Sequence, residues 1–254
     1  MMNALINKFH QTERHFFSSI SFTEKKQDHL IAYASGVDAA GLNPALVQNM
    51  QRMTFKHDLI ICQDFYREHQ LPWALVVPEY FQKNTADLIE EQGIYVVDEG
   101  IAMLCLLEEW KPVSSSTDLV IKEMNHDLNQ WSFPIIYGFE STPERMDVYT
   151  QRHLIALEKK RNFYHFSGFI GDEAVCSLTV SLLGAKYARL DDVATIPAHQ
   201  GRGYATTLIH SCLDFLKNLQ IEACFLEAST SGFSIYRKIG FKELFKNYYY
   251  ELQA

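Results

Sequence analysis

Apolar positions in the second half of the chain follow two periods, which predict three strands and then a helix. Apolar runs at residues 164–170, 173–182 and 187–196 are separated by two short turns that contain glycine, a pattern typical of an antiparallel meander. From Ala205 to Leu219 the apolar side chains recur every three or four residues instead. The loop that follows the third strand therefore leads into a helix N-terminus.

The same half ends in a strand, a helix and a further strand. Residues 223–228 are apolar and predict a buried strand, and residues 232–239 predict a short helix that ends at Gly240. Residues 242–252, which include Tyr248-Tyr249-Tyr250, predict a last strand because aromatic side chains favour strands. The second half is thus predicted to mix strands with helices packed on them.

The first half also predicts helices and strands. Asn43-Pro44 is typical of a helix start, because asparagine caps helices and proline suits the first helical position. Residues 73–77 predict a buried strand, and residues 86–92 a helix that Gly93 ends. We expect a hairpin after it, with strands at 94–97 and 101–107 joined at Asp98-Glu99-Gly100.

The ends of the two halves resemble each other. Gly93-Ile94 and Gly240-Phe241 each close a strand–helix unit and open a strand, at an offset of 147 residues. A repeat of this length favours a duplicated domain over a solenoid, and chance similarity between α/β segments is the alternative. The run of proline and serines at residues 112–116 marks the boundary. We predict domains at 1–112 and 120–254, joined by a linker at 113–119.

Composition narrows the classes of ligand. The chain has 23 basic and 31 acidic residues and no Lys/Arg block, so we expect no nucleic-acid partner. Charged residues near the N-terminus argue against a signal peptide, and no window approaches a membrane span, so we expect a cytoplasmic protein without a membrane partner. Five cysteines without C-x-x-C spacing predict reduced core thiols, and ten scattered histidines predict no metal site.

The loop at Gln200-Gly201-Arg202-Gly203 is the strongest candidate binding site. Unpaired N–H groups and the dipole of the following helix favour an anion, and glycines let a pyrophosphate approach the main chain. A Walker loop is excluded, since no lysine follows Gly203 in the required register. A dinucleotide fingerprint would need a small residue at Thr206, which leaves a nucleotide-binding oxidoreductase as a weak alternative. A glycine turn that only caps the helix is the other alternative.

Two motifs in this half resemble those of one enzyme family. Gln200-Gly201-Arg202-Gly203-Tyr204-Ala205 resembles the Q/R-x-x-G-x-G/A signature of the GNAT (Gcn5-related N-acetyltransferase) superfamily, and residues 226–241 resemble its second motif, in the right order. The resemblance runs from about residue 120 onward. It implies an α/β (α+β) chain of two GNAT-like domains, each a mixed, mostly antiparallel sheet flanked by helices. The first would be degenerate: residues 1–112 lack the signature, and by the offset Ile89 stands where Tyr236 does.

The resemblance also implies a function and a set of site residues. The chain would be an N-acetyltransferase that transfers the acetyl group of acetyl-CoA, its co-substrate, to an amine of a small acceptor. The Val193 N–H would stabilise the oxyanion, Tyr236 would protonate the leaving thiolate, and Asp191 is the candidate base. The residues implied in binding acetyl-CoA are Val193, Ala194, Thr195, Gln200, Gly201, Arg202, Gly203, Tyr204, Ala205, Thr206, Ser229, Gly232 and Tyr236.

Several points stay open in the sequence. Asp192 and Glu227 are further candidate bases, and strand alternation sends Asp191 and Asp192 to opposite faces, so only one is expected in the cleft. Ser229 stands where many superfamily members have Asn, so a non-catalytic acyl-CoA-binding sensor is the alternative function. Residues 131–145 are the candidate wall of the acceptor pocket, and fusion of the two sheets would bury another wall. The protein is expected to be a monomer or homodimer.

Overall fold

Eleven strands form one continuous sheet in the computed structural model, which describes residues 2–112 and 117–252. Its first-half elements are α1 (Met2–Ile20), β1 (Thr23–Lys26), β2 (Leu30–Ala34), β3 (Pro44–Val47), α2 (Arg52–His69), β4 (Ala74–Pro78), α3 (Glu79–Glu90) and β5 (Ile94–Leu106). Its second-half elements are β6 (Val120–Glu123), α4 (Leu128–Gly138), α5 (Pro143–Glu158), β7 (Phe163–Ile170), β8 (Glu173–Leu183), β9 (Tyr187–Thr195), α6 (Tyr204–Asn218), β10 (Ala223–Ser229), α7 (Phe233–Ile239) and β11 (Lys242–Leu252).

The order of the strands shows that the two halves exchange their last strands. The sheet runs β1-β2-β3-β4-β11-β5-β10-β9-β8-β7-β6, so β11 lies between two first-half strands and β5 pairs with β10 of the second half. Only β3 with β4 and β9 with β10 are parallel among these pairs. Gly100 of β5 pairs directly with Asn247 of β11, and these positions differ by the 147 residues of the sequence repeat. The repeat therefore corresponds to a pseudo-twofold arrangement about this strand pair.

Helices cover both faces of the sheet. Neighbouring residues of β8 show the division, because Ala174 packs with side chains of α1, α4 and α5, whereas Val175 packs with those of α6. In the first half, Ile31 and Tyr33 contact α1 through Phe17, and the alternate positions of the same strand face α2 and α3. The helix α1 thus crosses one face of both halves and shares it with α4 and α5, whereas α2, α3 and α6 lie on the opposite face.

Most predicted elements of the second half are confirmed, within a few residues at their ends. The meander is β7, β8 and β9, and the helix after the glycine loop is α6. The predicted strand at 223–228 is β10, and the aromatic-rich segment is β11. The mixed, mostly antiparallel sheet flanked by helices is also confirmed. Residues 113–116 of the predicted linker lie outside the described residues.

Two predictions for the first half are wrong. Pro44 begins β3 instead of a helix, and Asn43 is fully buried, where its side-chain oxygen accepts from the Ser35 N–H at 2.9 Å and its amide donates to the Pro72 carbonyl at 2.9 Å. A polar side chain that satisfies buried main-chain groups can look like a helix cap in sequence. The hairpin at 94–107 is one strand, β5, and Gly100 lies in its middle.

Candidate active site

The sheet opens between β9 and β10. These parallel strands pair from Tyr187 opposite Ala223 to Leu190 opposite Leu226. Beyond that point β9 continues to Thr195 along β8, and β10 continues along β5. The two diverging strand ends leave main-chain groups unpaired with each other, so an extended ligand has room to hydrogen-bond there.

A bulge lies in β9 at this opening. Thr179 of β8 is opposite Asp191 and Ser177 is opposite Ala194, so β9 holds one residue more than its partner. Asp192 has φ 58°, a left-handed conformation that is uncommon for a residue other than glycine. The bulge interrupts the alternation of side chains, and Asp191 and Asp192 both line the same cavity. The expectation that only one of them faces the cleft is therefore wrong.

A cavity of about 300 Å³ occupies the opening and carries an excess of acidic side chains. Its walls come from both halves of the chain. Strand β5 of the first half contributes three residues, and the other lining residues, including one from β11, belong to the second half. Five carboxyl side chains and one guanidinium line it, which favours a cationic ligand. The lining residues are Asp98, Glu99, Gly100, Phe139, Arg189, Leu190, Asp191, Asp192, Val193, Glu227, Ala228, Ser229, Tyr236 and Tyr249.

Asp191 and Arg189 form an ion pair in the wall of this cavity. The Arg189 Nε donates to Asp191 Oδ1 at 2.8 Å, and both side chains are largely buried. The second oxygen, Oδ2, is buried and has no hydrogen-bond partner among the described residues. Burial raises the pKa of Asp191, and the adjacent guanidinium opposes that rise. Asp191 thus presents one unengaged carboxyl oxygen.

Both oxygens of Asp192 are engaged. Tyr149 donates its hydroxyl to Oδ1 at 2.7 Å, and the Thr179 hydroxyl donates to Oδ2 at 2.7 Å. Burial, together with the charge of Asp191, raises the pKa of Asp192 to about 7. The two hydroxyl groups therefore fix this carboxyl group in place.

Glu227 is held by the exchanged strands. Its Oε1 accepts from the Tyr249 hydroxyl at 2.5 Å and its Oε2 from the Asn247 side-chain amide at 2.9 Å, both on β11. A Cβ atom at Gly100 of β5 would lie 1.8 Å from Glu227 Oε1, so only glycine leaves space for this side chain. Burial raises the pKa of Glu227 to about 7, and the nearby charge of Glu13 adds to the rise.

Tyr236 extends from α7 into the same cavity. Its ring packs edge-on against Phe241 at 6.0 Å between centroids. Burial raises the pKa of the phenol well above its ordinary value, and the charge of Asp191 raises it further. The phenol is therefore protonated at neutral pH and available as a hydrogen-bond donor. Complete proton transfer from it is more uphill than reference pKa values predict.

The glycine loop adopts the geometry of an anion site. Gly201 has φ 73° and Gly203 φ 83°, which favour glycine, and an added Cβ at either position would meet no atom within 4 Å. The first helical hydrogen bond of α6 runs from the Thr207 N–H to the Gly203 carbonyl at 2.9 Å, which leaves the N–H groups of the preceding turn without a helical partner. These groups and the open surface over the glycines fit a pyrophosphate.

Sequence comparison agrees with the family that the two motifs resemble. The model of the acetyltransferase (GNAT) family matches residues 122–241. This segment is a GNAT domain. A search of curated proteins gave no match.

Solved structures share the fold of the GNAT domain and of the half before it. A GCN5-related N-acetyltransferase from Kribbella flavida superposes with a TM-score of 0.70 at 9% identity, over 97% of this chain and 95% of that one. A functionally unknown conserved protein from Staphylococcus epidermidis gives 0.68 at 12% identity, over 92% and 96%. A tandem GNAT protein from the clavulanic acid biosynthesis pathway gives 0.60 at 13% identity, over 89% and 79%. At these identities the likeness concerns the fold.

Four of the predicted site residues line the cavity, and seven form the glycine loop and the start of α6. Asp191, Val193, Ser229 and Tyr236 line the cavity together. The residues Gln200, Gly201, Arg202, Gly203, Tyr204, Ala205 and Thr206 form the loop and the first turn of α6, which follow β9. Ala194 is buried, and a Cβ on Gly138 of α4 would lie 2.9 Å from its Cβ, so its side chain packs on α4 and does not face the cavity.

Ser229 has a structural role beside its place in the cavity. Its hydroxyl oxygen accepts from the Gly232 N–H at 3.1 Å at the entry to α7, and a Cβ on Gly232 would approach the Tyr236 ring to 3.2 Å. The Ser229 hydroxyl thus fixes the turn that leads into α7. Gly232 leaves room for the Tyr236 ring.

The contribution of the exchanged strands to the cavity was not predicted from the sequence. Asp98, Glu99 and Gly100 were assigned to a turn, although a glycine within a strand is also a signal that another chain segment approaches closely. Tyr249 and Asn247 gave no signal beyond their strand pattern. Phe139, at the end of α4, is the one residue of the predicted wall 131–145 that lines this cavity, whereas Trp131 is fully buried in the core.

Three further features concern metals, membranes and cysteines. Within residues 2–112 and 117–252, no group of three or more His, Cys, Asp or Glu side chains is arranged to hold a metal ion. No helix in the same ranges has the length and apolar character needed to cross a membrane. All five cysteines are buried free thiols.

Proposed function

We propose that the protein is an N-acetyltransferase that transfers the acetyl group of acetyl-CoA to a primary amine of a small acceptor. One observation carries the proposal: a phenol, an unengaged carboxyl oxygen and a bulged strand meet in one acidic cavity, and this strand, β9, leads on into the glycine loop and the N-terminus of α6. Acetyl-CoA, when bound, supplies an activated thioester. The residues of this chain bind it, orient the amine and move protons.

The loop and the open strand fit the two ends of acetyl-CoA. The N–H groups from Gly201 to Thr206 would bind the pyrophosphate, and the unpaired edge from Val193 to Thr195 would hydrogen-bond the pantetheine chain. Gln200 stabilises the loop itself, because its side-chain amide donates to the Thr195 carbonyl at 3.1 Å. The Val193 N–H follows the bulge and would stabilise the negative charge that develops on the thioester carbonyl oxygen.

Tyr236 and Asp191 would handle the protons. Burial keeps the Tyr236 phenol protonated, so it would donate a hydrogen bond to the departing thiolate. Asp191 Oδ2 is a buried carboxyl oxygen without a hydrogen-bond partner among the described residues, and we assign to it the proton lost by the attacking amine. Asp192 and Glu227, whose oxygens are all hydrogen-bonded, would attract the ammonium group without taking its proton.

The test is release of free thiol from acetyl-CoA with a panel of small amines, followed over time. Tyr236→Phe should lower kcat about 100-fold with little change in KM for acetyl-CoA, as expected for a lost proton donor. Tyr164→Phe is the matched control. Tyr164 lies at the start of β7, packs on Phe215 and lines neither of the two cavities described here. An unchanged rate in Tyr236→Phe would remove the donor role.

Thermal stabilisation separates the alternative functions. Acetyl-CoA should raise the melting temperature by mass action, and NAD should not. Stabilisation by acetyl-CoA without thiol release for any amine would favour a non-catalytic acyl-CoA-binding protein. Stabilisation by NAD alone would favour the dinucleotide-binding alternative.

A further inference from the structure

A second cavity adjoins the acidic one and differs from it in chemistry. It has a volume of about 290 Å³ and lies between the α4–α5 turn and the first-half segment 39–42. Phe139 and Asp192 line both cavities, so the two cavities meet at these side chains. The remaining lining residues are Ala39, Gly41, Leu42, Ile135, Glu140, Ser141, Arg145, Met146 and Tyr149.

Most of the second cavity is apolar. Leu42, Ile135 and Met146 contribute aliphatic surface, and the latter two are nearly fully buried. The Tyr149 hydroxyl donates to Asp192, so this residue offers only its ring to the cavity.

The second cavity has a smaller excess of acidic groups than the first. Two carboxyl groups, Glu140 and Asp192, line it beside Arg145, whose guanidinium forms an ion pair with Asp38 at 3.0 Å. The first cavity is lined by five carboxyl groups and one guanidinium, and one of these carboxyl groups, that of Glu99, pairs with Lys246 at 2.9 Å.

We infer that the acceptor is a monoamine with an apolar body, whose ammonium group lies among the carboxyl groups of the first cavity and whose body fills the second. The inference rests on the proposed function and adds the class of acceptor. A body of four to six methylene groups, joined directly to the amine, would pass Phe139 and Asp192 and contact Leu42 and Met146. A second charge at its far end would be buried against these apolar side chains, which is unfavourable.

The test compares n-alkylamines with α,ω-diamines of equal length. From ethylamine to hexylamine, kcat/KM should rise about threefold to fourfold for each methylene group that becomes buried. 1,6-Diaminohexane should fall at least tenfold below hexylamine. A flat or falling trend with length, or a preference for the diamine, would overturn the inference while leaving the proposed function intact.

Variants of Leu42 locate the apolar body. Leu42→Asp should lower the ratio of hexylamine to ethylamine activity about tenfold and improve the diamine relative to hexylamine. Leu42→Ala should lower the same ratio two- to fourfold, and it serves if the aspartate variant does not fold. Leu219→Asp is the control, since Leu219 is exposed at the end of α6 and lines neither cavity. Equal ratios in the wild type and both Leu42 variants would also overturn the inference.

A binding measurement distinguishes failure of the inference from failure of the proposed function. If no amine releases thiol, the proposed function fails. Melting temperatures are then measured with CoA and each amine of the series. Stabilisation that grows from ethylamine to hexylamine and exceeds that by the diamine would support the acceptor site, and equal stabilisation by all amines would refute it.

Discussion

Substitution of Gly100 by alanine should displace the Glu227 carboxyl group. The new Cβ would lie 1.8 Å from Glu227 Oε1 and 2.6 Å from its Cδ, so the side chain must move by more than 1 Å. That movement breaks the hydrogen bonds from Tyr249 and Asn247, which hold the carboxyl in a buried position. Hydrogen bonds to a charged group contribute about 1.5–3 kcal/mol each, so we expect a loss of roughly 2–4 kcal/mol.

The assay is a double-mutant cycle with Glu227→Ala, measured by denaturant unfolding and by thermal melting. Gly100→Ala alone should lower the melting temperature by roughly 5–10 °C, given that about 1 kcal/mol corresponds to 2–4 °C in a protein of this size. In the Glu227→Ala background the same substitution should cost about 0.5 kcal/mol or less, because the clashing atoms are gone. The coupling free energy should therefore exceed about 1.5 kcal/mol.

A matched glycine substitution controls for effects on the unfolded chain. Gly41 does not have a positive φ, and an added Cβ there would meet no atom within 4 Å, so Gly41→Ala should change stability by less than about 1 kcal/mol. An equal cost of Gly100→Ala in the presence and absence of the Glu227 side chain would refute the reasoning. The close approach of β5 to Glu227 would then have no energetic consequence.

Three further outcomes follow from the site. Gly203→Ala places a side chain at φ 83°, so the Kd for acetyl-CoA should rise about tenfold in a direct binding titration, and an unchanged Kd would contradict the role of the loop. Asp191→Asn should lower kcat/KM about 100-fold and remove the fall in kcat/KM at acidic pH, because the base would be gone. Asp192→Asn should keep this fall at acidic pH. If Asp191→Asn also keeps it, the assignment of Asp191 as the base is refuted. The raised pKa of Glu227, about 7 instead of 4.5, means that the folded state holds this proton more tightly, so its stabilising effect is full below about pH 4.5 and is lost as the pH rises through 7. The decrease in melting temperature from pH 5 to pH 8 should accordingly be smaller in Glu227→Gln, and an equal decrease would contradict it.

The sequence allowed the GNAT half to be predicted because its signals are local. The glycine spacing at Gly201 and Gly203 and the period of α6 each depend on a few neighbouring residues. The bulge at Asp192 was not predictable in this way, since it depends on how β9 pairs with β8. A strict alternation of side chains was therefore the wrong basis for choosing between the two aspartates.

The acceptor side of the site depends on contacts between distant segments. Glu227 lies against Gly100, which is more than a hundred residues away in the sequence. Tyr249, near the C-terminal end of the chain, donates a hydrogen bond to Glu227. Neither contact leaves a periodic pattern. The glycine within β5 was the available signal, and it equally fits a turn, which is how Asp98-Glu99-Gly100 was interpreted.

Strand exchange has a consequence for the predicted domains at 1–112 and 120–254. In the GNAT half alone, β10 would lose its pairing with β5 along Ala223–Ser229, and β11 would lose both of its neighbours. Unpaired strand edges of this length favour aggregation. We therefore expect residues 117–254 expressed alone to be insoluble or to lack a cooperative melting transition.

Co-expression of the two halves as separate chains should restore folding, because the sheet pairs residues of β5 and β11 directly and does not need the peptide link between them. The measurements are size-exclusion chromatography of the co-purified halves and their thermal melting by circular dichroism. A soluble GNAT half with a cooperative transition of its own would show that the exchanged strands are dispensable. In that case the position of β11 between β4 and β5 would not be required for the fold of the GNAT half.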